Sequence, residues 1–172
     1  MKVSKYMKKN PIVIQVDQTL AEVVERMIKE KTNTIVAVDS HENLKPVGMV
    51  TTLCLIKKVL PDYLEDDPMV SAFERPGQLT CFSLKYKKEP ISKIMIECRK
   101  TLDPDDTMVE AAAYASKSIT RSLPVVGQDG KLIGIVDRTC IKKAIYNSIF
   151  KIENPDCDHN NCDVCWREQD KD

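Results

Sequence analysis

Cys157, His159, Cys162 and Cys165 fall within nine residues, in the pattern C-x-H-x2-C-x2-C. Four soft nitrogen and sulfur donors are what a tetrahedral zinc ion takes, and C-x2-C is a usual chelating turn. The pattern marks a candidate zinc site. All four donors crowd into one loop rather than two separated pairs, so three other accounts stay open: an unstructured acidic tail, thiol redox chemistry, and a site completed by a partner subunit. The other cysteines, Cys54, Cys81, Cys98 and Cys140, are scattered and read as small apolar residues. His41 stands in a polar stretch and reads as a solvated side chain. No nucleophile–base pair, phosphate-binding glycine loop or G-x-G-x-x-G stands out, and the chain is not expected to be an enzyme.

Charge and hydropathy narrow the partners. Lys+Arg and Asp+Glu are both 26 among 172 residues, without the basic excess of a nucleic-acid binder. Hydrophobic residues make up 42%, an ordinary globular balance. No apolar run reaches the roughly 20 residues a membrane helix needs. The basic start of the sequence lacks the apolar stretch of a secretory signal. A cytoplasmic protein with reduced thiols is expected, with neither a membrane nor nucleic acid as partner.

The elements that must position any site come in two copies. Thr19-Leu20-Ala21-Glu22 returns 88 positions later as Thr107-Met108-Val109-Glu110, and Met7, Asp17 and Val38 have counterparts at the same offset in Met95, Asp105 and Val126. Gly48 and Gly134 are 86 apart, so a loop between these points differs by two residues. Within each copy, T-x-x-E is a capping box at a helix start. Leu20, Val23, Val24, Met27 and Ile28 form one helical face, and Met108, Ala111, Ala112 and Ala115 form its counterpart. The β-branched runs 11–16, 34–39, 46–51, 122–127 and 131–136 read as strands, with a shorter strand at 101–103. Asp129-Gly130 predicts a type I′ hairpin. Helices are expected over 53–60 and from Thr139 to about Phe150. The unit is β-α-β-β-α, used twice, and neither copy has much core alone, so the two should pack face to face. Between them, residues 61–90 are broken by Pro61, Pro68, Pro76, Gly77 and Pro90. They read as an inert connection, with a lid over a ligand as the alternative, in which 79–84 could add a short strand.

This order, with Y-M-x-x-N-P, D-x-T-L-x-E, R-S-L-P-V-V and D-G-K-L-I-G-I-V-D-R in place, resembles the cystathionine-β-synthase-type (CBS) domain. The resemblance implies an α/β (α+β) fold of two repeats, 1–60 and 91–150, packed as a pseudo-twofold pair, with a linker at 61–90 and a Cys/His-rich tail at 151–172. It also implies a homodimer formed through the repeat helices, an unidentified protein partner, and regulation by an adenosine compound held between the repeats. AMP, ADP, ATP, S-adenosylmethionine and NAD are the ligand candidates.

Binding members of the family carry G-h-h-S/T-x-x-D/N at the last helix, where the hydroxyl and helix N-terminus meet phosphate and the carboxylate holds ribose. Here the first copy reads Gly48-Met49-Val50-Thr51-Thr52-Leu53-Cys54 and the second Gly134-Ile135-Val136-Asp137-Arg138-Thr139-Cys140. Cysteine replaces the ribose carboxylate in both. The candidate ligand contacts are Thr51, Thr52, Arg121, Ser122, Asp137 and Arg138, with Ile12, Val13, Thr34, Val36, Leu102, Leu123 and Pro124 as apolar or edge lining. Most have a plainer account: a helix cap for Thr51, Thr52 and Asp137, an ion pair for Arg121, and core packing for most of the apolar set.

Overall fold

The computed structural model describes residues 1–73, 75–117, 120 and 122–150. The first half runs α1 (Val3–Tyr6), β1 (Lys8–Lys9), β2 (Val13–Gln15), α2 (Leu20–Lys29), β3 (Thr34–Val38), β4 (Pro46–Thr51) and α3 (Thr52–Val59). The connection holds α4 (Asp62–Asp66), a 3-10 turn (Pro68–Phe73), α5 (Gln78–Tyr86) and a second 3-10 turn (Ile91–Lys93). The second half runs β5 (Ile96–Glu97), α6 (Met108–Lys117), β6 (Ser122–Val126), β7 (Leu132–Asp137) and α7 (Arg138–Phe150).

Local chemistry sets the helix starts. The Thr19 hydroxyl accepts from the Glu22 N–H at 3.5 Å, and the Glu22 carboxylate accepts from the Thr19 N–H at 2.7 Å, so two orphan donors are satisfied together. At α6 the Thr107 hydroxyl accepts from the Glu110 N–H at 3.1 Å, while the Glu110 carboxylate takes Lys100 at 3.2 Å. The apolar face of α2 is narrower than its spacing predicts. Leu20, Val23 and Met27 are buried, whereas Val24 lies at the edge and Ile28 is 76% exposed.

Two further expectations are corrected. Residues 79–84 lie in α5, not in a strand. Leu79, Phe82 and Tyr86 recur at helical spacing, and the Gln78 side chain accepts the Arg75 N–H at 2.7 Å ahead of the first turn. The 127–131 hairpin is not type I′, which needs positive φ at both central residues. Only Gly130 has positive φ (75°). Its N–H reaches the Gly127 carbonyl, and the Gly127 N–H reaches that of Lys131. This is a tight turn followed by a glycine bulge. The strand ends Val38 and Pro46 correspond to Val126 and Leu132, so the two-residue difference does fall in these loops.

The sheets are ordered β2-β3-β4-β5 and β1-β7-β6. A parallel bridge from Leu102 to Val125 adds to the second what β2 gives the first. The halves exchange their leading segments. β1 pairs antiparallel with β7 (Lys9 opposite Gly134), and β5 pairs with β4 (Glu97 opposite Gly48). A Cβ on Gly48 would meet Met95 Sδ at 2.6 Å and the Ile96 carbonyl at 3.0 Å; one on Gly134 would meet Met7 Sδ at 2.8 Å and the Lys8 carbonyl at 3.0 Å. The repeated Met and Gly are thus one contact, made twice, in which the incoming chain lies where a side chain would otherwise stand.

Three apolar clusters follow from strand alternation. Ile35 and Ala37 of β3 face α2 and α3 with Ile14, Val23, Val50 and the exchanged Ile91. Leu123 and Val125 of β6 face α6 and α7 with Leu102, Met108, Val136 and the exchanged Val3 and Tyr6. The opposite sheet faces meet each other through Val36, Val38, Met49 and Leu132, with Val13, Leu44 and Ile135 at the margin.

Candidate functional site

Two clefts open where the sheet faces meet. One, of about 480 Å³, is bordered by the chain from Lys8 to Ile12, by Glu30 to Thr34, and by Ser122, Ile135, Asp137 and Thr139. The other, of about 490 Å³, is bordered by the chain from Ile96 to Lys100 and by Met49, Tyr114, Lys117, Thr120 and Ser122 to Pro124. Both volumes suit a small ligand. The 88-residue offset relates them: Lys8–Ile12 to Ile96–Lys100, Thr32 to Thr120, Thr34 to Ser122. The turns that shape them are alike, because the Thr32 hydroxyl donates to the Thr34 carbonyl at 3.0 Å and the Thr120 hydroxyl to that of Ser122 at 3.0 Å.

Their chemistry differs. At the first cleft, Asp137 Oδ1 accepts the N–H groups of Thr139 (2.9 Å) and Cys140 (3.0 Å), and its other oxygen pairs with Lys8. Partial burial opposes ionisation of Asp137, but the Lys8 ammonium and the Cys140 N–H outweigh it and hold the carboxyl below its ordinary range. A fixed negative charge therefore stands at the N-terminus of α7. Thr51, the counterpart of Asp137, carries no charge. Its hydroxyl accepts the Cys54 N–H at 3.3 Å and lies 3.2 Å from the Cys54 thiol, which in turn accepts the Thr51 N–H at 3.5 Å. The α3 start has a neutral cap. Thr51 lies two residues beyond Met49, on the same face of β4, but borders neither cleft.

The second cleft combines an apolar wall with cations. Met49, Leu123 and Pro124 are buried side chains at its edge, and Tyr114 is 42% exposed. Lys100 lies 4.7 Å from the Tyr114 ring centroid and 3.2 Å from Glu110, and that hydrogen bond to Glu110 raises its pKa. Arg99 and Lys117 add two more positive charges against Glu97. Burial pushes the Cys98 thiol up from its ordinary value, so it is a neutral part of the wall.

The structure brings Ile12, Thr34, Ser122 and Asp137 together at the first cleft, and Ser122, Leu123 and Pro124 at the second. Val36 and Leu102 are core residues, 1% and 0% exposed, and Val13 packs at the margin between the sheets. Thr52 is tied to the Asn33 turn through its N–H (3.1 Å) and hydroxyl (3.5 Å). Arg138 is exposed on the first turn of α7 and borders neither cleft. Arg121 and the zinc candidates Cys157, His159, Cys162 and Cys165 lie outside the described residues. Among the described residues, no group of three or more His, Cys, Asp or Glu side chains is placed to hold a metal ion. Nor is any of their helices long and apolar enough to cross a membrane. The sequence reading missed Tyr114, Arg99, Lys100 and Lys117. The available signal was the repeat itself, since Lys100 is the counterpart of Ile12.

The comparisons bear on the fold. The CBS domain profile matches residues 3–60 and 91–147. An uncharacterized protein of Methanocaldococcus jannaschii is 30% identical over 149 residues, covering 84% of this chain and 32% of the relative. The chain thus spans about a third of that curated relative's length. The crystal structure of the CBS-pair protein CBSX2 from Arabidopsis thaliana matches with a TM-score of 0.67 at 21% identity, over 86% of this chain and 96% of that one. CBSX2 in complex with AMP matches at 0.63 and 21%, over 86% and 98%. The CBS domain pair of protein MJ0100, in complex with 5-methylthioadenosine and S-adenosyl-L-methionine, matches at 0.63 and 22%, over 86% and 98%.

Proposed function

The chain belongs to the CBS domain family, and from that membership we propose that it is a regulatory, non-catalytic module that holds an adenosine-containing anion in the cleft bordered by Met49, Tyr114 and Lys100. Similar CBS pairs bound to AMP, and to 5-methylthioadenosine with S-adenosyl-L-methionine, support an adenosine-containing ligand, and the AMP complex supports an anionic one. The contrast between the clefts carries the choice of site. One has a carboxylate fixed at the helix N-terminus, where a phosphate would be repelled. Cations border both, with Lys8, Lys9 and Lys31 set against Glu30 and Asp137 in the first, but in the second Arg99, Lys100 and Lys117 face only Glu97 among the described residues that line it and stand beside an aromatic face. In this reading Tyr114 stacks on the base and the cations meet the charged end, while Asp137 keeps such ligands out of the first cleft.

A melting panel with AMP, ADP, ATP, S-adenosylmethionine and NADH tests this. A ligand at one hundred times its Kd adds about 2.7 kcal/mol, and one compound should give a saturable shift. Because loss of base stacking costs roughly 1–3 kcal/mol, Tyr114→Ala should weaken binding by about fivefold to somewhat over a hundredfold. No shift with any compound, or an unchanged affinity in the variant, would reject the site. A second reading has its own support. Cys54 is engaged in capping and Cys140 is 2% exposed, so neither offers ribose an acceptor. On that reading the repeats form a ligand-independent dimerisation module with a metal-binding tail, the exposed Ile145 and Ile149 of α7 contributing to the contact.

A further inference from the structure

A groove of about 730 Å³ lies outside both clefts, between the first residues of the chain and α7. Lys5, Lys8, Lys142 and Lys143 border it, Tyr6 and Tyr146 give it an aromatic wall, and no carboxylate among the described residues lines it. Lys8 is held by Asp137. Lys142 and Lys143 have no ion-pair partner among the described residues, and they stand in the middle of α7, too far from its C-terminal turn to serve the helix dipole.

The first repeat shows how the equivalent lysines are treated. Lys57 is the counterpart of Lys143, and Lys93 of Lys5. The chain that leaves α3 turns back on it, packing α5 against α3. That chain brings Glu65 to Lys57, and Glu89 to Lys58 and Lys93 at 3.7 and 3.5 Å. The chain that leaves α7 is acidic in turn: Glu153, Asp156, Asp158 and Asp163 occur with no Lys or Arg between Ile152 and Trp166. Since the whole sequence is charge-balanced, residues 1–150 are basic by as much as the remainder is acidic. A segment leaving Phe150 has ample length to double back, because extended chain spans about 3.3 Å per residue and helix about 1.5 Å.

We propose that the α1–α7 groove is the docking site for residues 153–166 of this same chain, whose carboxylates pair with Lys142 and Lys143 and whose Trp166 lies along the tyrosine wall. The groove is then an intramolecular acidic-peptide site, and its occupant is the counterpart of the inter-repeat connection.

Trp166 is the sole tryptophan, so acrylamide quenching of its fluorescence in the full chain reads this segment directly. Reductant and chelator are present throughout, so that bound metal does not contribute. At low salt the tryptophan should be shielded, and quenching should rise about twofold or more in 1 M NaCl, where charge interactions reach only about 3 Å. The double variant Lys142→Glu, Lys143→Glu should give that rise at low salt. Asp156→Asn, Asp158→Asn, Asp163→Asn should do the same without touching the folded body. Quenching at low salt equal to that of free tryptophan, or shielding indifferent to both variants, would overturn the proposal. Shielding that disappears on dilution would overturn it in favour of docking onto a second copy.

Discussion

At the scale of the residue, Asp137 shows how one side chain settles the character of a cleft. Its two oxygens are divided between a helix cap and Lys8, and the carboxyl is held below its ordinary range. A depressed carboxyl stabilises the fold above the unfolded carboxyl's pKa, near 3.9, and that contribution is lost as pH falls through the lower folded value. Asn caps helices as well as Asp, so Asp137→Asn removes the charge and keeps the cap. The wild type should be more stable than this variant at neutral pH, and the gap should close as pH falls below about 4. Urea midpoints of the two proteins across pH check this. A gap that stays constant would show that the Lys8 pair contributes nothing.

At the scale of the element, the exchanged segments do more than their length suggests. Ile91 lies in the last turn of the connection, yet it is 0% exposed in the core of the first repeat. Truncating such a side chain costs about 2–5 kcal/mol, so Ile91→Ala should lower stability by that order in equilibrium denaturation. A cost near zero would mean the segment merely lies on the surface. Much at this scale was legible in the sequence. T-x-x-E fixed the starts of α2 and α6, and β-branched runs marked β3, β4, β6 and β7. The α5 helix was missed because 79–84 is short and apolar, a pattern that strand and helix share until packing decides. The second cleft was missed for another reason. Tyr114 lies next to Ala111, Ala112 and Ala115, and only the fold turns it away from that small-residue face toward Lys100.

At the scale of the molecule, both repeats are cores built from chain that is not contiguous. Val3 and Tyr6 are packed with Leu102 and Val136, and Ile91 with Ile14 and Val50. Val36, Val38, Met49 and Leu132 then join the two halves. Neither repeat can lose its structure without exposing part of the other's core. Residues 1–150 should therefore unfold in one step, with coincident transitions by far-ultraviolet circular dichroism and tyrosine fluorescence. Two separated transitions would mean the halves are independent.

The same exchange bears on how the protein is made. During synthesis the first repeat emerges with β4 as an open edge, and that edge stays open until Ile96 and Glu97 have been added. Residues 1–9 are made before the rest of the two repeats but cannot take their places until β7 and α7 exist. An exposed strand edge is a template for pairing with other chains. The pair of repeats passes through its most vulnerable stage when only the first has emerged, and closes both sheets only once the second has been made.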